Sequence, residues 1–153
     1  MADDPIPATE IGRQIYRLST AWRREIDLRM RAFGLTDATW QPLLYLGRLG
    51  DGVRQTDLAA ALMIETSSLV RLIDALERAR LLERLEDPED RRSKRLWMTP
   101  AGRETFAQVA AVHRSLAEAF VAEVSAAERE LCYSVLDRIM RAIAAQAATG
   151  ETS

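Results

Sequence analysis

The stretch from Gln55 to Met98 constrains the fold more than any other part of the chain. A short helix is predicted over Gln55–Leu62, with Leu58, Ala59 and Leu62 on its apolar side. A second is predicted over Thr66–Arg80, beginning with small polar residues. Only Met63-Ile64-Glu65 joins them, which is the spacing of a helix-turn-helix. Leu81–Glu86 and Lys94–Met98 then flank a segment of turn-formers and charge, Asp87-Pro88-Glu89-Asp90-Arg91-Arg92-Ser93. Short flanks rich in bulky residues around such a tip predict a hairpin. A ribbon of this size is marginal alone and must lean on the helices beside it, so the pattern as a whole is a winged helix.

The flanking segments are longer. Apolar residues at Ile11, Ile15, Leu18, Trp22 and Ile26 form one stripe of an amphipathic helix closed near Gly34. Thr36 is placed to cap a helix that buries Trp40, Leu43, Leu44 and Leu46 before Gly47 and the Gly50-Asp51-Gly52 turn. Thr99-Pro100 opens a helix carrying Phe106, Val109, His113, Leu116 and Phe120. Ser125-Ala126-Ala127-Glu128 is a capping box for a last helix with Leu131, Val135, Leu136, Ile139 and Ile143 apolar. The first ten residues and the tail from Ala147 read as fraying arms. The predicted fold is mainly α (α+β), a winged helix-turn-helix with long N- and C-terminal dimerisation helices. It forms a single domain over residues 1–153, with the winged region at 36–98 and the dimerisation helices at 10–33 and 99–146. The terminal helices carry more apolar surface than one small module covers, which points to a homodimer.

Composition removes several classes. With 21 Lys+Arg against 23 Asp+Glu the formal charge is -2, which excludes a polybasic protein but not local segregation of charge. One Cys and one His exclude a disulfide framework and the common His-rich metal sites, so neither metal nor cofactor is expected. No apolar run approaches about 18 residues, and the opening MADDPIPATE is acidic, against a membrane span and a secretory signal. The expectation is a soluble, cytoplasmic protein. Cys132 and His113 are the only thiol–imidazole pair, they fall on different helices, and no glycine-rich phosphate loop follows a strand. An enzyme is therefore not expected, and Cys132, beside Leu131 and Val135, is expected to be a buried structural thiol.

On a helical wheel of residues 66–80, Leu69, Leu72, Ile73 and Leu76 share one side, while Ser67, Arg71, Asp74 and Arg78 share the other, with Ser68 at its margin. Small hydroxyl residues at a helix start let the backbone approach a major groove. A guanidinium one turn later can bond both O6 and N7 of guanine. Ser67, Ser68 and Arg71 are thus candidate contacts to double-stranded DNA; the alternative is a solvated face on which Arg71 pairs with Asp74 or Glu65. The run Arg91-Arg92-Ser93-Lys94-Arg95 puts four positive charges in five residues. Residues 65–98 hold 8 basic and 8 acidic side chains, so the positives must be segregated to hold a phosphate backbone. Arg91, Arg92 and Lys94 are the candidates here, with an arginine at the tip suited to a minor groove and Asp90 suited to bracing a neighbouring arginine.

With Glu65–Arg78, Asp87–Arg95, Met98-Thr99 and Gly102 in view, the chain resembles the MarR/SlyA family of winged-helix transcription regulators. The resemblance extends in outline over about residues 11 to 145. It implies a homodimer that binds a pseudo-palindromic operator. Such proteins usually repress and are released by a small aromatic or phenolic effector; some SlyA-like members act instead by displacing nucleoid proteins. Carried over residue by residue, the family's recognition contacts fall on Ser67, Ser68 and Arg71. Its wing arginine falls on Arg91 or Arg92, with Arg91 preferred at the tip and Arg92 as the phosphate or bracing contact. Its effector crevice would be lined by Trp22, Trp40 and His113, with Arg17 as a carboxylate partner, although both tryptophans also suit a core and His113 an interface. The family's reactive cysteine has no counterpart near the first helix, which counts against thiol sensing. The competing readings are a transcriptional activator or anti-silencer, and a DNA-independent helical adaptor.

Overall fold

A computed structural model of the chain describes residues 6–90 and 93–150. Its elements run α1 (Ala8–Arg31), α2 (Asp37–Leu49), β1 (Val53–Arg54), α3 (Gln55–Leu62), α4 (Thr66–Arg78), β2 (Leu82–Glu86), β3 (Lys94–Met98), α5 (Pro100–Phe120) and α6 (Ala126–Gly150). The strands form one antiparallel sheet in the order β1-β3-β2. This is the mainly helical winged helix-turn-helix expected from the sequence, with one addition. β1 is only two residues long, too short to show alternation, and it exists because Val53 and Arg54 pair with Leu96 and Arg95.

The chain divides into residues 1–114 and 115–153, the division falling inside α5. In the first unit α2, α3, α4 and the sheet share one core. Leu43, Leu46, Leu58, Leu69, Ile73, Leu76 and Leu96 are each 0% exposed. Each such side chain contributes about 1.5–3 kcal/mol relative to an exposed position. The strand register explains which wing residues join them. Leu82 lies opposite Met98, and Leu96 opposite both Arg84 and Val53, so these residues share one face of the sheet. Glu83, Leu85, Arg95 and Trp97 alternate onto the other face.

Helix ends follow local chemistry. After α1 the Gly34 N–H bonds Arg31 O and the Leu35 N–H bonds Met30 O, a Schellman closure with Gly34 at φ 72°. α3 and α4 close by the same pair of bonds, but with Met63 at φ 54° and Arg80 at φ 57° in the left-handed position. A side chain there costs about 1 kcal/mol relative to glycine. Thr99 caps α5, its Oγ accepting the Gly102 N–H at 3.0 Å and donating to Arg80 O at 2.7 Å. Thr36 does stand at the start of α2, but its side chain makes no capping bond; its Oγ lies 3.3 Å from that of Thr39.

Burial along the terminal helices corrects one expectation. Only the C-terminal end of the α1 stripe is covered: Ile26 and Met30 are buried, whereas Ile11, Ile15 and Leu18 are exposed. In the second unit the capping box forms as predicted, Ser125 Oγ accepting the Glu128 N–H while Glu128 Oε2 accepts the Ser125 N–H at 2.9 Å. Cys132, however, is exposed on α6 rather than buried. Leu131 and Val135 beside it are exposed as well, so a single chain provides no core at that face.

Candidate nucleic-acid interface

α4 is held by its apolar side and presents the other. Leu69, Ile73 and Leu76 lock it to the core, while Thr66, Ser67, Ser68, Val70, Arg71 and Arg78 are exposed. Arg71 makes no hydrogen bond or ion pair among the described residues. The competing partner Asp74 is taken by Arg84 of β2, which also bonds Glu77 (Nε to Oε2, 2.9 Å). The Arg84 guanidinium draws the Glu77 carboxyl below the usual carboxylate range. Val70 was not singled out from sequence; a valine on a wheel margin carries no signal until its surroundings are known.

The wing departs from a uniformly basic tip. Arg91 and Arg92 lie outside the described residues. Lys94 is half-exposed and paired with Glu86 directly opposite it, Nζ to Oε1 at 3.4 Å. Arg95 turns inward: Nε lies 2.9 Å from Asp87 Oδ2, and Nη1 donates to Gly52 O at 3.2 Å. Arg54 of β1 approaches the same carboxylate at 3.3 Å. Asp87 is closed to solvent, accepts the Glu89 N–H at 3.0 Å, and is held below its ordinary value first by Arg95. The four positive charges at positions 91–95 therefore include one, Arg95, that is neutralised by Asp87, a residue the sequence alone places in the turn. Asp90 accepts from Ser93 Oγ at 2.7 Å, which tightens the hairpin end.

Between these two elements is a cavity of about 230 Å³ lined by Arg54, Gln55, Thr56, Thr66, Ser93 and Lys94. It gathers the first residues of α3, the first residue of α4 and the base of the wing. Neither helix start carries a side-chain cap. Uncapped backbone N–H groups favour an anion there, while the two cations beside them are already paired, Lys94 with Glu86 and Arg54 with Asp87. Sequence reasoning missed Arg54, Gln55 and Thr56; a polar Gln-Thr pair at a helix start was the available signal.

A second cavity, about 250 Å³, lies between α1, α2 and α5 at His113. It brings Trp22, Trp40 and His113 together with Ser19, Arg23, Gln41, Tyr45 and Arg48. Arg17 is not among its walls. Ser19, Trp22, Arg23 and Ile26 share one sector of α1, and Arg17 points about 160° away from Ser19 at 100° per residue. The guanidinium groups at this cavity belong to Arg23 and Arg48, the latter 5.7 Å from the centroid of the Tyr45 ring. Trp40 Nε1 donates to Asp27 Oδ1 at 2.9 Å, tying α2 to α1. Burial, then the charge of Arg48, pushes the His113 imidazole below its ordinary value. Among the described residues no group of three or more His, Cys, Asp or Glu is placed to hold a metal ion, and no helix is long and apolar enough to cross a membrane.

This architecture defines a winged-helix protein with an open helix face and a charged ribbon beside it. The sequence profile of the MarR family matches residues 33–93. The transcriptional regulator PA3341 is 35% identical, with a TM-score of 0.81 over 87% of this chain and 97% of its own. A MarR-family transcriptional regulator from Silicibacter pomeroyi is 25% identical, with a TM-score of 0.73 over 85% of this chain and 87% of its own. MepR from S. aureus, solved as a DNA complex, is 24% identical, with a TM-score of 0.76 over 90% of this chain and 98% of its own. The chain belongs to the MarR family of transcriptional regulators.

Proposed function

We propose that this protein is a homodimeric, sequence-specific DNA-binding repressor, released from its operator by a small aromatic or phenolic effector. The observation that carries the DNA reading is the state of α4: Arg71 is exposed and unpartnered among the described residues, directly after the small Ser67 and Ser68. The anion-favouring cavity at the starts of α3 and α4 supplies phosphate contacts, with Lys94 at its edge. MepR, of the same fold, was solved on DNA. Arg91 and Arg92 remain assigned to the minor groove and the phosphate by their place in the sequence between β2 and β3. Dimerisation is supported by the apolar residues that a single chain leaves exposed on α1 and α6. Two recognition helices related by a dyad meet successive major grooves about 34 Å apart, so the operator is an inverted repeat.

The effector is assigned to the cavity walled by Trp22, Trp40, Tyr45 and His113, with Arg23 and Arg48 as its cationic groups. Flat apolar walls with guanidinium donors suit an aromatic anion. Release requires that the ligand favour a dimer whose recognition helices are mis-spaced. A tenfold loss of DNA affinity corresponds to about 1.4 kcal/mol of coupling, and operator must weaken ligand binding tenfold in return. Fragments selected from genomic DNA, followed by calorimetric titration of aromatic acids and phenols with and without operator, test both halves. Failure to enrich any sequence overturns the DNA reading. Ligand affinity unchanged by saturating operator overturns the effector reading alone.

A further inference from the structure

The middle of the outward sector of α4 holds one acidic residue. Asp74 lies about 20° from Ser67 and about 60° from Arg71 on the wheel, in the middle of the face proposed to meet a polyanion. An unmasked carboxylate there repels every phosphate it approaches. Arg84, on the neighbouring strand β2, contacts it: its Nη2 pairs with Asp74 Oδ1, and its Nε donates to Glu77 Oε2. The Arg84 backbone N–H also donates to Glu77 Oε1 at 3.2 Å, so Glu77 grips both the main chain and the side chain of the same residue. The guanidinium is only 24% exposed and its direction is set, whereas Asp74 is 46% exposed.

We propose that Arg84 is a charge-masking and positioning residue for DNA recognition, turning Asp74 away from the phosphate backbone, and that Asp74 in turn limits binding to non-operator DNA. The inference rests on the reading that α4 enters the major groove. Glu77 supplies the anchor, because its two bonds fix where the guanidinium stands. Asp74 supplies the adjustable charge, because Arg84 is shared between two carboxylates and Arg78, on the same face, bonds the Asp74 carbonyl oxygen and not its carboxylate. A residual negative charge beside the recognition face weakens contact with any sequence equally, leaving the base contacts of Arg71 to decide between sequences.

The test is a set of binding isotherms across a salt series for the wild type, Arg84→Ala, Asp74→Asn and the double variant, on the selected operator and on a scrambled duplex. Arg84→Ala is expected to weaken binding to both duplexes by roughly tenfold, since it exposes two carboxylates at once. Asp74→Asn is expected to tighten both a few-fold, with a larger gain on scrambled DNA in proportion to its total, and to steepen the salt dependence. Combining the two recovers most of the affinity lost in Arg84→Ala. Thermal unfolding shows which variants are folded. A folded double variant that binds as weakly as Arg84→Ala overturns the proposal, because Arg84 then serves only as a tether. If Arg84→Ala does not fold, Asp74→Asn decides: unchanged or weaker binding to scrambled DNA overturns it. A wild type that binds both duplexes equally refutes sequence-specific recognition while leaving the masking measurable; one that binds neither overturns both.

Discussion

The winged module and the last helix both carry apolar stripes at helical spacing, with opposite fates. In α4, Leu69, Ile73 and Leu76 are each 0% exposed, whereas on α6 Leu131 is 66% and Ile143 58% exposed. The module closes its core within one chain by stacking three helices on one face of a three-stranded sheet. α6 carries apolar residues at the same spacing, but Leu131, Val135, Leu136 and Ile143 along that stripe are exposed. Periodicity therefore identifies which side of a helix is apolar, and says nothing about which molecule covers it.

Matched truncations break this comparison most directly. Ile73→Ala is expected to destabilise the module by about 2–5 kcal/mol, independent of protein concentration, because it empties space in a closed core. Ile143→Ala removes the same atoms from an exposed position. It is expected to leave dilute-chain stability almost unchanged while shifting the monomer–dimer midpoint to higher concentration. Urea unfolding at two protein concentrations together with sedimentation separates the two. Equal, concentration-independent losses would show that α6 packs within its own chain.

A second pair of changes sharpens the module side. A Cβ added at Gly102 would lie 1.8 Å from the Leu81 carbonyl oxygen, and one added at Gly47 would lie 2.2 Å from the Phe106 ring. A ring can turn, but a backbone carbonyl at the exit of α4 cannot move without shifting the start of α5. Gly102→Ala is therefore expected to cost more than Gly47→Ala, both within or above about 1–3 kcal/mol. Thermal melts of the two variants check the order.

What the sequence made legible has a common character: it was local. The α3–α4 spacing, the hairpin, the Thr99 cap and the Ser125–Glu128 box each depend on residues a few positions apart, and each is present in the structure. What escaped was set by distant partners. β1 is defined by pairing 43 positions away, Val53 with Leu96. Arg95 looks like one more tip cation until Asp87 is seen buried against it, and Arg17 looks as good a cavity residue as Arg23 until the α1 sector is fixed by α2 and α5. Cys132 was placed in a core because its neighbours are apolar, yet on α6 that apolarity faces outward.

The module's outward face is expected to answer to DNA and not to assembly. Arg71→Ala should cost about 1–3 kcal/mol on the selected operator, relax preference at one base pair per half-site, and leave the dimer midpoint where it is. Anisotropy on operator and scrambled duplexes, with sedimentation in parallel, provides the check. Equal loss on both duplexes would make Arg71 a phosphate contact.

The smallest effect is expected from His113, where α5 leaves the module. Burial and the neighbouring Arg48 hold its folded-state pKa below the ordinary 6.5. Between those two values the unfolded chain binds more protons than the folded one, so stability rises with pH there and is lost as pH falls from above 6.5 through the folded value. The depressed carboxylates of Asp51 and Glu77 act in a separate window. At Asp51 burial alone would raise the value, but bonds from Arg103 and the Met98 N–H outweigh it; at Glu77 the Arg84 bond dominates. Their contribution is complete above the ordinary values of 3.8 and 4.5 and is lost only as pH falls through the lower folded ones. Urea midpoints between about pH 7.5 and 5.5 thus isolate the histidine, whose slope must stay below the roughly 1.4 kcal/mol per pH unit that one whole proton would give. His113→Gln is expected to flatten that slope without altering the loss below pH 4. A wild-type profile that is already flat would show that the cavity leaves the imidazole unshifted, and one that gains stability on acidification would show that it favours the imidazolium.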